Sequence, residues 1–256
     1  MTPITERYHE ILTLRREGIA RYGGRLTSDL YGAPVRLSFP TISFDQPLMP
    51  HVKLGPFYLG DRPPILSVIS ELLRAFEHNV NVLELGPGKG TMAHSLRSLY
   101  GSKIDSYLGI ERDPSVTGPY DRISDVGSLD TQKPPIDIFI ASEVVEHMTL
   151  ETFFEDVLPS VVSRMNEGSV SIIGTPNALA PGSIFGDFTH VQGYTFFDLY
   201  ALMRLFFQEV DIYRTRYVWS LERLLTLVPR AALCRLVELD WCEGLICVAR
   251  SPRRIP

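Results

Sequence analysis

The chain has 256 residues, of which 45% are hydrophobic and 21% are charged, a composition typical of a globular protein with one large core. Its formal net charge of -5 argues against a surface that is basic throughout, and therefore against nucleic acid as the partner. The three cysteines, Cys234, Cys242 and Cys247, form no CxxC pair, so neither a disulfide framework nor a zinc site is indicated.

The N-terminal third of the chain begins with charged residues from Glu6 onward and contains no apolar leader or membrane-length apolar run. We therefore expect a cytoplasmic location without a membrane span. Residues 4–21 mix apolar and charged positions in a helical pattern. Residues 32–64 hold seven prolines among aromatic side chains, which predicts an irregular segment that packs on the main body or forms a lid over a substrate pocket.

A helix is expected next, capped by Asp61 and continuing with apolar residues at helical spacing to Phe76. From residue 82 onward, short apolar runs rich in β-branched residues alternate with helical stretches, the pattern of a doubly wound parallel sheet. The predicted strands are 82–85, 106–110, 136–141, 169–174, 208–214 and 245–249, and the helices between them include 91–100 and 150–165. A mostly helical insertion over about 218–241 separates the last two strands.

The turn after the first of these strands carries three alternating glycines, Gly86, Gly88 and Gly90, and leads into a helix at Thr91. Glycine lets the chain turn sharply and lets a ligand approach the backbone, and the free N–H groups of a helix start suit a carboxylate or a phosphate. Glu111 ends the next strand, where a carboxylate can accept hydrogen bonds from both hydroxyls of a ribose. The pair predicts a nucleoside-bearing cofactor; the alternative is a turn with a purely structural role.

The residues around this turn favour S-adenosylmethionine over other nucleoside cofactors. Thr91 stands where the dinucleotide fingerprint has its third glycine, and the GK[ST] ending of a phosphate-binding P-loop is absent. Glu84, just before the first glycine, would repel a pyrophosphate but suits an ammonium group or a water network near a zwitterion.

Several motifs resemble those of class I S-adenosylmethionine-dependent methyltransferases. The run ELGPGKG over 84–90 resembles their motif I, and Gly109-Ile110-Glu111 resembles the acidic motif after their second strand. Residues 124–129 are similar to their adenine-binding turn, and residues 136–148 to their fourth-strand motif. The resemblance covers residues 80–215 and departs at Asn166-Glu167-Gly168, where the family usually has Pro-Gly-Gly.

This resemblance implies a Rossmann-like class I methyltransferase fold, with a seven-stranded, mostly parallel sheet and helices on both faces. A helical and irregular arm over 1–64 would precede the methyltransferase domain over 65–252. The glycines would line the methionine end of S-adenosylmethionine, Glu111 the ribose, Asp125 the adenine amino group and Val126 the ring, with Glu143 beside the cofactor. The predicted cofactor-binding residues are Glu84, Gly86, Pro87, Gly88, Gly90, Glu111, Asp125, Val126 and Glu143.

Methyl transfer from a sulfonium is an in-line displacement that needs acceptor and methyl held about 3–3.5 Å apart, and a hydroxyl acceptor must also lose a proton. His147, after the fourth strand, and His190, after the fifth, are the candidate catalytic bases, because both strand ends open on the same rim. Each also has a structural alternative, His147 as a packing residue at a helix start and His190 as a loop-stabilising residue. We expect a small-molecule acceptor methylated at oxygen: a sugar, a glycan precursor or a secondary metabolite.

Two further functions stay open. Glu143, Glu146, His147 and His190 resemble the metal-binding set of small-RNA 3′-end ribose 2′-O-methyltransferases, although those enzymes carry a second histidine near the position of His190. The chain is alternatively a non-catalytic relative that binds the cofactor, and a homodimer is compatible with either reading. The candidate substrate walls are 32–60 and 180–225, with the aromatic candidates Phe39, Phe44, Phe57, Tyr58, Tyr194, Phe196 and Tyr217.

Overall fold

A computed structural model describes residues 3–22, 35–36, 51–54, 57–60, 64–129, 134–182, 184, 186–217, 229, 233, 240 and 242–253. The predicted helix cap Asp61, the aromatic residues Phe39 and Phe44, and most of the predicted insertion over about 218–241 lie outside these residues.

Within the described residues, ten strands form one sheet in the order β1-β2-β3-β9-β10-β8-β7-β4-β5-β6. In chain order their bounds are β1 (Val35–Arg36), β2 (His51–Leu54), β3 (Phe57–Gly60), β4 (Val80–Leu85), β5 (Ile104–Ile110), β6 (Asp121–Ile123), β7 (Ile136–Ser142), β8 (Met165–Pro176), β9 (Phe207–Tyr217) and β10 (Gly244–Pro252).

The helices of the described part lie close to the predicted positions. A 3-10 turn (Ile4–Arg7) leads into α1 (Tyr8–Tyr22), and later helices are α2 (Pro64–Ala75), α3 (Thr91–Tyr100), α4 (Leu158–Val162) and α5 (Phe196–Arg204). The helix expected over 150–165 starts as a π-helical turn (Thr152–Val157) that continues into α4. Short 3-10 turns follow β6 (Val126–Ser128) and β7 (Val145–His147).

Seven of the strands, β6-β5-β4-β7-β8-β10-β9, form the predicted mostly parallel sheet, in which only β10 runs antiparallel to both of its neighbours. The chain runs outward from β4 to β5 and β6, then returns to β7 on the other side of β4. This reversal leaves a crevice at the carboxyl ends of β4 and β7, which is where ligands bind in open α/β sheets. The edge strand β6 was not predicted, because its three residues, Asp-Arg-Ile, carry no apolar run.

The expectation of an irregular segment over 32–64 is wrong for β1, β2 and β3. These strands extend the sheet beyond β9: β2 is antiparallel to both β1 and β3, and β3 is parallel to β9. The prolines of this segment fall before, between and after the three strands rather than inside them, where a missing N–H does not interrupt the ladder.

The sheet is buried between two apolar layers. On one face it packs against α2 and α3 through residues such as Val82, Ile138 and Ile172. On the other face it packs against α1, α4 and α5 through residues such as Leu83, Phe139 and Ile173. Because neighbouring strand residues point to opposite faces, the continuously apolar strands predicted from the sequence are those covered on both sides. Among the described residues, no helix has the length and apolar character needed to cross a membrane.

Candidate functional site

The glycine-rich turn joins β4 to α3 at the crevice. All three glycines adopt left-handed backbone conformations, with φ of 64° at Gly86, 52° at Gly88 and 74° at Gly90. The Gly86 N–H donates to the carbonyl of Ile110 at 3.0 Å, and the Gly90 N–H donates to the carbonyl of Pro87 at 2.8 Å. The sharp turn that the glycines predicted is thus present, and these two bonds hold it against the end of β5 and close it on itself.

The three glycines differ in what lies next to them. A Cβ atom on Gly86 would lie 2.7 Å from Cγ2 of Val144, and one on Gly90 would lie 2.5 Å from Cδ of Pro119. A Cβ atom on Gly88 would meet nothing within 4 Å. Protein atoms thus require glycine at the outer two positions, whereas Gly88 exposes its backbone to open space, the arrangement that lets a ligand approach the main chain closely.

Glu111 lies beside this open position. Its Oε2 accepts from the Gly88 N–H at 3.2 Å, and its Oε1 accepts from the Asp113 N–H at 3.0 Å. A carboxylate offers about four lone-pair positions, so acceptor capacity is left for two ribose hydroxyls. The structure therefore brings together the glycine turn and the acidic residue that the sequence predicted as a pair.

Tyr120 fixes the glycine turn from outside and was missed by the sequence reasoning. Its hydroxyl donates to the Gly88 carbonyl at 2.6 Å. Its ring leaves no space for a Cβ atom on Gly109 or Gly118 and lies close to Gly90. Nothing local marks Tyr120 in the sequence, because it precedes a short polar edge strand and acts through residues about thirty positions away.

Glu84 is buried at the end of β4, with 4% of its surface exposed. The Tyr107 hydroxyl donates to its Oε2 at 2.7 Å. Burial raises the pKa of Glu84 to about 7, although the hydrogen bond from Tyr107 opposes the rise. Because the pKa of this carboxyl is about 7, a nearby cation such as an amino acid ammonium group would lower the pKa and favour the ionised form.

Asp125 and Val126 follow β6, on the same rim as Glu111. Asp125 caps the 3-10 turn, because its Oδ1 accepts from the Ser128 N–H at 3.0 Å. Its Oδ2 also accepts from the Ser124 hydroxyl at 3.0 Å. The bond from Ser124 and those from Ser128 hold the pKa of Asp125 below its usual value. Val126 is half-buried against the core. The capping bonds explain a structural role for Asp125; contact with an adenine stays a prediction.

Glu143 directly follows β7 and has a left-handed backbone conformation, with φ of 52°, which costs a residue other than glycine about 1–3 kcal/mol. Its N–H donates to the Gly174 carbonyl at 2.9 Å, which fixes it against β8. The side chain reaches solvent, yet protein surrounds its carboxyl on several sides. This desolvation raises the pKa of Glu143 to about 7; the charge of Glu146 adds to the rise and His190 opposes it.

Glu146 lies fully buried in the 3-10 turn after β7. Its Oε2 accepts from the Thr175 hydroxyl at 3.0 Å, whereas its Oε1 has no hydrogen-bond partner among the described residues. Burial raises the pKa of Glu146, against the opposing effects of hydrogen bonds and the two nearby histidines. A buried, unpartnered carboxylate oxygen is costly, so a water molecule, a cation or a polar ligand group at this position would be stabilising.

His147 and His190, predicted from separate strand ends, are in contact: their ring centroids are 4.8 Å apart at an angle of 67°. The loop that carries His190 is tied to the turn that carries His147, because the Glu146 carbonyl accepts from the N–H groups of Val191 at 2.8 Å and Gln192 at 3.0 Å. Nε2 of His147 lies 4.0 Å from Oε1 of Glu146. The two candidate bases therefore share one site with a buried carboxylate.

One ligand atom each from Glu146, His147 and His190 can come within 4.8 Å of the other two. Two imidazoles and one carboxylate are a donor set that transition metals such as manganese accept more readily than magnesium does. The unpartnered oxygen of Glu146 fits such an ion. Glu143, the fourth member of the set suggested by the sequence, lies outside this group, although its charge still interacts with Glu146 and His190.

Two of the aromatic residues proposed as pocket walls belong to the core instead. Tyr194 is 1% exposed and Phe196 is 6% exposed, and both pack with α5 against the sheet. Phe57 and Tyr58 lie in β3, and Tyr217 ends β9.

No protein-family model and no curated protein sequence matches the chain. Solved structures do. A SAM-dependent methyltransferase from Archaeoglobus fulgidus is 19% identical, with 73% of this chain and 92% of that chain covered and a TM-score of 0.53. The N-methyltransferase NodS from Bradyrhizobium japonicum WM9 is 14% identical, with coverages of 75% and 99% and a TM-score of 0.49. The methyltransferase domain of bacterial CtHen1-CN is 15% identical, with coverages of 72% and 96% and a TM-score of 0.47.

The likeness to the Archaeoglobus fulgidus structure establishes the fold as the Rossmann-like class I methyltransferase fold that the sequence motifs predicted.

Proposed function

We propose that this chain is an enzyme that binds S-adenosylmethionine and transfers its methyl group to oxygen of a small-molecule acceptor. The observation that carries the proposal is the open backbone at Gly88 beside the carboxylate of Glu111, at the crevice of a class I methyltransferase sheet. The left-handed φ of 52° at Gly88 would favour glycine in any turn, so the support for a ligand comes from the combination of this open position with the Glu111 carboxylate beside it.

The residues around the turn fit an adenosyl amino acid from end to end. The N–H groups at the start of α3 and the buried Glu84 suit the carboxylate and ammonium groups of a methionine moiety. Glu111 suits the ribose, and Asp125 with Val126 lies one strand further out, where an adenine would follow. The order of these groups along the rim is the order of the parts of S-adenosylmethionine.

The acceptor half of the site favours a neutral, hydroxyl-bearing molecule. Glu143 and Glu146 line this half with carboxyl groups whose raised pKa values let them hydrogen-bond hydroxyl groups as donors or as acceptors, and when ionised they would repel a phosphate. His147 and His190 offer imidazoles to a hydroxyl, which must lose a proton to become a nucleophile. A sugar, a glycan precursor or a secondary metabolite has this chemistry.

In this mechanism the protein mainly positions and deprotonates. When bound, the sulfonium would supply an electrophilic methyl group, which the acceptor oxygen would attack in line with the departing sulfur. The glycine turn and Glu111 hold the cofactor, and the carboxylates of the acceptor half orient hydroxyl groups. One of the two histidines takes the hydroxyl proton, a contribution typically worth a factor of about 10²–10⁴ in rate.

Calorimetry with S-adenosylmethionine and with S-adenosylhomocysteine tests the first part of the proposal. We expect saturable one-to-one binding of both. An absence of heat and of thermal shift with both compounds would overturn the proposal.

The transfer of a methyl group is tested by incubating the protein with methyl-labelled S-adenosylmethionine and a panel of hydroxylated small molecules. Tight cofactor binding without transfer to any of them would favour a non-catalytic relative.

A second candidate function is a metal-dependent RNA ribose 2′-O-methyltransferase. It is favoured by the proximity of Glu146, His147 and His190 and by the unpartnered Oε1 of Glu146. These three residues would hold the ion, which would supply a positive charge to a ribose hydroxyl. The test is transfer to short RNA with a free 3′ end: activity lost with a chelator and restored by manganese or magnesium supports this function.

Three lesser points stay predictions alongside the function. The division into an arm over 1–64 and a methyltransferase domain over 65–252 is proposed with the amendment that the arm contributes strands to the sheet. A cytoplasmic location rests on the absence of a disulfide framework in the sequence. The protein is compatible with a homodimer, which sedimentation would detect.

A further inference from the structure

The loop that carries His190 contains a second feature, a chain of hydrogen bonds that starts at Asp187. Oδ1 of Asp187 accepts from the Thr189 N–H at 2.8 Å and from the Thr189 hydroxyl at 2.6 Å. The bond from this hydroxyl, followed by the one from the backbone, holds the pKa of Asp187 below its usual value. An ionised carboxylate only accepts hydrogen bonds, so the proton of the Thr189 hydroxyl points at Asp187.

The same hydroxyl faces His147. Its oxygen lies 3.0 Å from Nδ1 of His147, and the backbone carbonyl of Thr189 lies 3.2 Å from the same nitrogen. Both oxygens are acceptors toward His147, because the hydroxyl proton is already committed to Asp187 and a carbonyl has none. Nδ1 of His147 must therefore carry the proton, and Nε2 keeps its lone pair.

We infer that Asp187 is a positioning residue which, through Thr189, fixes His147 as the proton acceptor of the methyl-transfer reaction. The inference rests on the proposed function, which supplies the need for a base, and it chooses between the two candidate histidines. The arrangement differs from a catalytic triad, in which the carboxylate bonds the base directly, because here an exposed carboxylate acts through the Thr189 hydroxyl. His190 bonds through Nδ1 to the carbonyl of Ile184 at 3.1 Å, without a carboxylate hydrogen-bonded behind it in the described part of the chain.

The proton balance of the step is complete within the site. The O–H bond of the acceptor breaks, its proton bonds to Nε2 of His147, and its electron pair forms the new O–CH₃ bond. The C–S bond of S-adenosylmethionine breaks with its electron pair on sulfur, which loses its positive charge. The imidazolium then faces Oε1 of Glu146, 4.0 Å from Nε2, which gives the otherwise unpartnered buried carboxylate a counter-charge until the proton leaves to solvent.

The test is the tautomer of His147, read without cofactor or acceptor. The full chain is labelled with ¹⁵N in its histidine rings, and two-bond ¹H–¹⁵N spectra are recorded at alkaline pH, where imidazoles are neutral. The His147→Gln variant identifies the His147 signals by their loss. We expect the Nδ1–H tautomer in the wild type. Finding mainly the Nε2–H tautomer would overturn the inference.

Variants then test the roles of the two positioning residues. Thr189→Val keeps the shape and removes the hydroxyl, and Asp187→Ala removes the group that orients it. Because the Thr189 carbonyl still accepts from Nδ1 of His147, both variants should lower the Nδ1–H population of His147 without abolishing it, while His190 stays unchanged. Thr189→Ser, the matched control, should retain the wild-type spectrum. Wild-type spectra in both test variants would contradict the inference, and if neither variant folds, the wild-type tautomer and the serine variant decide.

Calorimetry with S-adenosylhomocysteine on the same samples separates the two proposals. A fixed tautomer with no cofactor binding would leave the hydrogen-bond chain intact and refute the proposed function. Cofactor binding together with an Nε2–H tautomer of His147 would support the proposed function and refute the inference about Asp187.

Discussion

The two halves of the site differ in how the chain builds them. In the proposed cofactor half, at the ends of β4, β5 and β6, the groups are the backbone of the glycine turn and the carboxyl groups of Glu84, Glu111 and Asp125, and hydrogen bonds between adjacent strands hold the turn in place. In the acceptor half, after β7 and β8, they are ionisable side chains whose partners lie far away in sequence, such as Thr189 for His147.

This difference shows what each half is suited to. Backbone turns recognise a constant ligand, because main-chain geometry varies little with the side chains around it. Buried carboxylates and paired imidazoles control protons and respond to whatever enters between them. We therefore expect the cofactor half to tolerate few substitutions sterically, and the acceptor half to respond mainly in its chemistry.

The largest expected effect separates two glycines of the cofactor half. Gly90→Ala places a Cβ atom 2.5 Å from Pro119 at a φ of 74°, and we expect a loss of about 3 kcal/mol in unfolding free energy from strain and overpacking. Gly88→Ala meets open space, so it should lose only about 1–2 kcal/mol from its backbone conformation, yet weaken S-adenosylhomocysteine binding at least about tenfold.

Urea denaturation and calorimetry on both glycine variants provide the measurement. Wild-type affinity in Gly88→Ala would show that the ligand does not approach the turn at its open position, and would remove the main support for the cofactor half.

The next effect concerns the pH dependence of stability set by Glu84. In the folded protein the pKa of Glu84 is about 7, above the ordinary value of 4.5 that applies to the unfolded chain. Between these two pH values the folded state therefore binds more protons than the unfolded state. The stability that this group contributes is present below pH 4.5 and is lost as the pH rises through about 7. Glu84→Gln should remove this loss and gain up to about 3 kcal/mol above neutrality, because the amide oxygen still accepts from Tyr107.

Denaturation of the wild type and Glu84→Gln across pH 5 to 9 measures the effect. Glu143→Gln is the matched control in the acceptor half: its carboxyl has the same direction of shift but reaches solvent, so its gain should be smaller. If the unfolding free energies of the wild type and Glu84→Gln changed with pH in the same way, the argument that burial raises the pKa of Glu84 would be contradicted.

A medium effect tests the ribose contact. Glu111→Ala should weaken S-adenosylhomocysteine binding by about 1–3 kcal/mol, roughly 5- to 150-fold, because ribose hydroxyls lose their charged acceptor. Calorimetry gives the affinity, and Glu111→Gln, which keeps an acceptor oxygen for Gly88 or Asp113, should fall between the alanine variant and the wild type. Unchanged affinity in the alanine variant would remove Glu111 from the site.

The smallest expected effect on cofactor affinity is that of a substitution in the acceptor half, at His190. His190→Ala should leave S-adenosylhomocysteine affinity within about twofold of the wild type, while losing one hydrogen bond worth about 1 kcal/mol of stability. With an acceptor identified from the panel, turnover should fall more than cofactor affinity. A loss of affinity as large as that of Glu111→Ala would place His190 in the cofactor half instead.

The sequence predicted the glycine turn and the acidic residue beside it, which the structure brings together; their role in cofactor binding stays a prediction. The strand that ends at Leu85, the glycines that follow it and Glu111 after β5 are local signals, since each depends on a few adjacent residues. The apolar strands and most helix bounds were likewise predicted within a few residues. The sequence does not predict β6, because this strand is short and polar. It does not predict β1 to β3 either, because the prolines between these short strands look like breaks inside a single irregular segment.

The amino-acid sequence by itself determined the α/β alternation, the position of the glycine turn and the residue types at the strand ends, because periodicity and backbone preference act over short spans of chain. Only the tertiary structure decided which of these residues meet. Tyr120 over the glycines, Thr175 on Glu146 and the line from Asp187 to His147 all join segments that no local pattern connects. Their contacts follow from the order of strands in the sheet, which brings distant chain positions to one edge.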